Sequence, residues 1–281
     1  MQPQTVASLD DPRVAIYRDA RDSQRLREHG CFLVEGRANV RCLVLRSRLR
    51  TQSVLVTPTA FEGLRDALSK LDPGVPVYVS DPAVLSGIAG YSVHRGVLAV
   101  GEVGAQTGPA QLVAASGQAS LVVALEHLAN PENVGGIFRN AQAFGAEGVL
   151  LDPRSCDPLY RKAIRVSMGG TLCLPFARAE AWPQGLESFR AAGYAIVGLH
   201  PELSGPGTRD LAELDARWDL GDRVLLILGN EGAGLSSAVR AHLDLHVRIA
   251  MAPEVDSLNV ASAAAIALHA FARHSGRGLR P

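Results

Sequence analysis

The sequence predicts an α/β protein whose second half is built on a parallel sheet. Short apolar runs alternate with helix-competent segments along most of the chain. In the second half these runs are continuously apolar, as in LVVALEHL (121–128) and VLLILG (224–229), which is the pattern of strands covered on both faces. Polar or glycine-rich loops follow three of those runs and lead directly into helices, the place where open α/β sheets hold ligands.

Taken in order, residues 12–29 are polar and helix-competent, and CFLVEG (31–36) reads as a strand. Residues 37–50 carry Arg37, Arg41, Arg46, Arg48 and Arg50 without an acid between them, and Val40, Leu43 and Val44 give the segment a helical apolar face. QSVLVT (52–57) is a strand, 58–70 a helix opened by a proline, and VPVYVS (75–80) a strand. A short helix at 82–89 and a strand at 95–103 complete a first domain over residues 1–104. Residues 105–119, rich in Gly, Ala, Gln and Ser, read as a linker, partly structured at most.

A second domain spans 120–281. After the strand at 121–128 come a turn and a helix from about Val134, a strand at 148–152, and a basic helix at 158–168 with Arg161, Lys162 and Arg165. TLCLPF (171–176) is predicted as a strand, 182–192 as a helix, 194–200 and 224–229 as strands, and 235–242 as a helix. Leu245, Val247 and Ile249 make a last strand, followed by an acidic loop and a long alanine-rich helix ending near Arg273. Ala261, Ala263, Ala264, Ala265 and Ala267 let that helix approach another backbone closely, either inside the fold or in a second subunit.

Composition narrows the function classes. At 281 residues and 47% apolar, the chain can bury a large core and is not disordered. Basic and acidic residues balance at 28 each, so no global field attracts nucleic acid, although a local patch can. Lys70 and Lys162 are the only lysines, and arginine suits bidentate phosphate contacts. Cys31, Cys42, Cys156 and Cys173 show no C-x-x-C spacing, so reduced thiols are expected rather than zinc or disulfides. The N-terminus lacks a basic region before an apolar core, and no apolar run approaches the roughly 20 residues of a membrane span. The expectation is a soluble cytoplasmic protein without a membrane partner.

Three constellations carry candidate chemistry. In the first, Asn130-Pro131-Glu132-Asn133-Val134-Gly135-Gly136, Asn133 suits a helix cap. The glycine pair costs helix stability unless a ligand or backbone comes close. Arg139 follows on the same helix. In the second, Leu228-Gly229-Asn230-Glu231-Gly232-Ala233-Gly234-Leu235, the loop can expose backbone amides but lacks a phosphate-loop signature. Glu231 in its middle repels phosphate, so the ligand there is neutral or cationic. In the third, residues 245–271, Ser257 or Asn259 caps the final helix. His242 and His246, with only Asp244 near, read as surface chemistry rather than a metal site, and no metal is expected. His127, after a strand end, could line the cleft or serve the structure.

Together these motifs resemble those of the SpoU (TrmH-like) branch of the SPOUT RNA methyltransferases. Asn133, Gly135 and Arg139 match Asn-x-Gly-x-x-x-Arg; Gly229, Glu231, Gly234 and Leu235 match Gly-x-Glu-x-x-Gly-Leu; Ser257 to Val260 match Ser-Leu-Asn-Val. The resemblance covers about 121–273. The first half more loosely resembles an L30e-like substrate-binding domain, through Glu35-Gly36 and Arg95-Gly96-Val97. The chain departs from the family at Ala250, where Ile-Pro-Met is usual, and near Pro253, where a glycine is usual.

The resemblance implies a C-terminal α/β knot, a deep trefoil, with a mainly parallel sheet. It implies methyl transfer from S-adenosylmethionine to a ribose 2′-hydroxyl, in ribosomal RNA by preference, with transfer RNA the nearest alternative. Gly229, Ile249 and Leu258 match the cofactor-holding positions, with Leu228, Asn230, Met251 and Asn259 beside them. Arg139 matches the catalytic arginine; Asn133, Glu231, Ser257 and Asn259 are expected to position ribose, cofactor and arginine. Arginine is a poor free base, so Arg139 is expected to stabilise the developing alkoxide or grip a phosphate. Arg37, Arg41, Arg46, Arg48, Arg161 and Arg165, with Arg139, are the expected contacts to structured RNA. The family works as homodimers through the knot domain. The competing readings are a non-catalytic RNA-binding protein on the same fold and an unrelated nucleotide-binding enzyme.

Overall fold

The computed structural model describes residues 2–105, 107–117, 119–201, 208–214 and 220–274. The chain divides into two compact units, Met1–Ala105 with Asp157–Cys173, and Gln106–Cys156 with Leu174–Pro281.

In the first unit β1 (Gln4–Thr5), β2 (Cys31–Glu35), β3 (Thr51–Val56), β4 (Val77–Val79) and β5 (Val97–Glu102) form one mixed sheet in the order β1-β4-β3-β5-β2. The strands β1, β4 and β3 run parallel, and β5 is antiparallel to both β3 and β2. Helices α1 (Ser23–Glu28), α2 (Arg37–Leu45), α3 (Pro58–Leu68) and α4 (Pro82–Ala89) connect them. Pro58 opens α3 behind Thr57, whose hydroxyl accepts from Ala60 N. The expected helix over 12–29 is instead a 3-10 segment at Pro12–Asp19 followed by α1. Asp11 and Asp22 each accept a backbone N–H, so the segment starts twice.

In the second unit the order of elements is α5 (Pro109–Ala114), β6 (Ser120–Leu125), α6 (Pro131–Ala143) and β7 (Gly148–Leu151). After an excursion, β8 (Phe176–Arg178), α9 (Glu187–Ala191), β9 (Ala195–Leu199), β10 (Thr208–Asp210), β11 (Arg223–Leu228), α10 (Ser237–Arg240), β12 (Leu245–Arg248) and α11 (Val260–His274) follow. The seven strands form one sheet, β10-β12-β9-β11-β6-β7-β8, and every pairing in it is parallel. Alternate residues explain the continuous apolar runs. Leu121, Val123, Leu125, Leu226 and Leu228 join one core with Phe138 and Phe271, whereas Val122, Ala124, Leu225 and Ile227 join a second with Phe189. Removing a ring such as Phe138, fully buried, would cost about 3–5 kcal/mol.

The excursion consists of α7 (Arg161–Val166) and α8 (Gly170–Cys173), and residues 157–173 pack with the first unit although they lie inside the second in sequence. Arg27 Nε is 2.8 Å from Asp157, and Arg161 lies 3.6 Å from Glu35 and 4.6 Å from the centre of the Tyr91 ring. The strand expected over TLCLPF is a correction. Residues 170–173 are one helical turn, and the strand begins only at Phe176. Ser167 and Thr171 hydroxyls meet within the buried turn, and Leu172 O accepts from Arg48 N and Ser47 Oγ, contacts no local pattern announces. The helices expected at 158–168, 182–192 and 235–242 are shorter, and the second starts with a 3-10 turn at Gln184–Leu186. No helix among the described residues is long and apolar enough to cross a membrane.

Candidate active site

The C-terminal ends of β9, β11 and β12 border a cleft of about 450 Å³. Leu228, Gly229, Asn230, Glu231, Ile249, Met251, Ser257 and Leu258, drawn from the second and third motifs, all line it.

The glycine-rich loop is held by its own backbone. Asn230 and Gly234 exchange N–H···O bonds of 3.1 and 2.9 Å, and Asn230 Oδ1 accepts from Gly232 N at 2.8 Å. Asn230 Nδ2 donates to His127 O at 2.9 Å, which ties the loop to the end of β6. The fold-back leaves no room at Gly229: a Cβ there would lie 2.4 Å from the Gly234 carbonyl carbon. Beyond the loop, buried Glu126 fixes the start of α10, accepting from Ser236 N at 2.9 Å, Ser236 Oγ at 2.6 Å and Trp182 Nε1 at 3.0 Å.

The third motif is different. Ala252 through Asn259 are exposed, with Ala252 O accepting from Val255 N. Asn259 caps α11, its Oδ1 accepting from Ala261 N at 3.0 Å and Ser262 N at 3.3 Å. Its Nδ2 donates to Asn133 Oδ1 at 3.0 Å. Asn133 is therefore not the cap of α6, which is a second correction. Asn130 caps it, accepting from Glu132 N at 2.9 Å, and Asn133 sits buried in the first turn, free to meet the third motif. The second glycine of the pair is explained by a close helix approach, since a Cβ on Gly136 would lie 2.9 Å from Ala261 Cβ. Asn140 Nδ2 adds a 2.7 Å bond to Ala261 O. Ala261 of α11 thus serves a close contact inside the unit.

Arg139 is exposed on α6, is not among the cleft-lining residues, and its side chain makes no hydrogen bond or ion pair with the described residues. Among the other arginines, Arg41 pairs with Asp66, holding that carboxylate down at about 2, and Arg161 is engaged with Glu35 and Tyr91. Arg37, Arg46 and Arg165 are exposed.

Two cleft residues were not singled out from the sequence. His200, 5% exposed, places Nε2 3.1 Å from His246 Nδ1, and Asp256 adds a second carboxylate beside Glu231. Among the described residues the lining holds two acids and neither lysine nor arginine, which favours a cationic ligand over a phosphorylated one. His127, at φ 54°, places Nε2 3.1 Å from fully buried Asp152, whose other oxygen accepts from Ser155 N and Oγ. His200 carries no periodic or spaced signal in sequence and is recognised only once the strand ends converge, whereas the position of His127 after a strand end is legible there.

The model of the SpoU rRNA Methylase family matches residues 120–269. The chain belongs to the SpoU rRNA methylase family. Its activity at that level is RNA methyl transfer, and its mostly parallel α/β sheet matches the solved SpoU structures. An uncharacterized tRNA/rRNA methyltransferase of Mycobacterium bovis is 33% identical over 99% of this chain and 94% of its own length. The AdoMet-bound rRNA methyltransferase of Sinorhizobium meliloti superposes with a TM-score of 0.81 at 27% identity, covering 98% of this chain and 99% of that one. The SpoU methyltransferase AviRb of Streptomyces viridochromogenes, solved with AdoMet, gives a TM-score of 0.76 at 26% identity over 95% of this chain and all of its own. These matches reach across both units of the SpoU-family chain.

Proposed function

We propose that this chain transfers a methyl group from S-adenosylmethionine to a ribose 2′-hydroxyl of RNA, in ribosomal RNA by preference. The observation that carries the reading is one continuous link. A cleft with two carboxylates, Glu231 and Asp256, suits a cationic donor, and the Asn259–Asn133 bond joins its rim to the helix that bears Arg139. The AdoMet in the similar structures from Sinorhizobium meliloti and Streptomyces viridochromogenes supports the same choice.

The residues fit the donor. Gly229 leaves the strand end bare, Leu228, Ile249 and Leu258 offer apolar walls, and Glu231 and Asp256 offer countercharge. When bound, the cofactor supplies a methyl activated by a sulfonium centre. The protein contributes orientation and charge. Asn133 and Asn259 fix α6 against the third motif, and Arg139 stands ready to stabilise charge on the attacking oxygen or hold the neighbouring phosphate. Arg37, Arg46 and Arg165, exposed and cationic, are the strongest candidates for backbone phosphate contacts.

The test is to incubate the protein with labelled S-adenosylmethionine and separate ribosomal and transfer RNA, then digest with alkali. A 2′-O-methylated linkage resists hydrolysis because the hydroxyl that attacks the phosphate is blocked. Label confined to alkali-labile mononucleotides means base methylation and would overturn the ribose assignment; label only in transfer RNA would overturn the preference. Arg139→Ala should lower methylation by about 100-fold or more while leaving cofactor affinity unchanged by calorimetry. Full activity in that variant would remove Arg139 from the mechanism.

A further inference from the structure

Two of the four thiols meet. Cys42, in α2, is 9% exposed, Cys173 closes α8 and is partly exposed, and their Sγ atoms are 3.3 Å apart. The two residues are 131 positions apart in sequence, yet both belong to the first unit. The surrounding backbone is built to hold them there. Leu172 O accepts from Arg48 N and from Ser47 Oγ, each at 3.2 Å. Gly169 has φ +86°, its carbonyl lies 3.6 Å from Cys42 Sγ, and a Cβ on it would lie 2.6 Å from that sulfur. Any larger residue at 169 would displace the thiol.

Packing alone does not require sulfur at both positions, since a small apolar pair would fill the same contact. A disulfide has an S–S length of about 2.05 Å, so the sulfurs need to approach by roughly 1.3 Å, within reach of side-chain rotation. The guanidinium groups of Arg46 and Arg48 act electrostatically on Cys42 and Cys173 respectively. Cys173, partly exposed beside Arg48, is the accessible member of the pair, and Cys42 is the buried one.

We propose that Cys42 and Cys173 form a dithiol site that a peroxide oxidises to an intramolecular disulfide. Cys173, the more exposed, attacks first. Its sulfur bonds to one peroxide oxygen, the O–O bond breaks, and the departing hydroxide takes up the thiol proton to leave as water. Cys173 is then a sulfenic acid. Burial pushes the Cys42 thiol up to about 12, so Cys42 is not the thiol that meets peroxide first; its place 3.3 Å from Cys173 is what makes it the resolving partner. Its sulfur bonds to that of Cys173, the S–O bond breaks, and the leaving hydroxide carries off the Cys42 proton as a second water. One peroxide is reduced and two thiols are oxidised. The bond ties α2, which carries Arg37 and Arg41, to the excursion that carries Arg161 and Arg165. It would fix the spacing of two basic elements of one unit.

The experiment uses the full chain, reduced, desalted and treated with stoichiometric hydrogen peroxide, followed by intact mass measurement and peptide mapping without reductant. The expected result is loss of two hydrogens, a single Cys42–Cys173 linked peptide, and full reversal by dithiothreitol. Closure should be about 10-fold faster or more than in the same protein unfolded in urea, because the fold holds the thiols together. Cys173→Ser should abolish the link, while the wild-type measurement stands whether or not that variant folds. Preferential oxidation of Cys31 or Cys156, over-oxidation of Cys42 and Cys173 without a link, or equal closure rates folded and unfolded would each overturn the proposal.

Discussion

The two loops that form the cleft differ in how they are held. Residues 229–234 fold back on themselves through paired backbone bonds, and Asn230 ties them to the end of β6. Residues 252–259 are exposed, and their anchors are a turn at Ala252–Val255 and the Asn259 cap with its bond to Asn133. One loop is a finished surface; the other stands open to solvent along most of its length. Rigid backbone supplies shape, and the open segment supplies the contacts that vary with what is bound.

Substitutions should separate the two. Gly229→Ala should have the largest effect, because its Cβ would meet backbone rather than a movable side chain. A loss of about 2–3 kcal/mol in stability and at least a tenfold weaker hold on S-adenosylmethionine are expected, read by thermal melting and calorimetry. Unchanged binding in a folded Gly229→Ala protein would show that the loop is not preformed. Asn230→Ala should come next. It removes bonds to Gly232 N, Ala233 N and His127 O, and should cost about 1–2 kcal/mol with a matching loss of affinity. Pro253→Gly should be smallest, leaving the melting temperature nearly unchanged and weakening the cofactor by only about threefold, through extra ordering on binding. A large fall in melting temperature in that variant would mean the open loop is as well fixed as its neighbour.

Legibility in the sequence followed the range of the interactions. The central strands β6, β7, β9 and β11 were readable because nearly every residue, on either face, is buried, and a continuous apolar run has few other solutions. The loop at 229–234 was readable because the glycines answer a local backbone demand. The choice between Asn130 and Asn133 was not, because both are competent caps and only the third motif, over a hundred residues later, engages the second of them. TLCLPF failed for the same reason: its conformation is set by Ser47 and Arg48. His200 and Asp256 escaped notice as isolated residues whose relevance comes from where strands end.

The contact between Gly136 and Ala261 has a consequence for how this enzyme can change. The spacing between α6 and α11 is set by the two smallest residues, glycine against alanine, so it is already within one methyl of its lower limit. An enlargement at Gly136 moves Arg139's helix outward from the cap that shapes the cleft, and the Ala261 methyl is the one group in this contact whose loss would draw it back. Adaptation to a different nucleotide then has to come from the exposed rim and the first unit, with the arginine-to-cleft distance inherited as a fixed gauge.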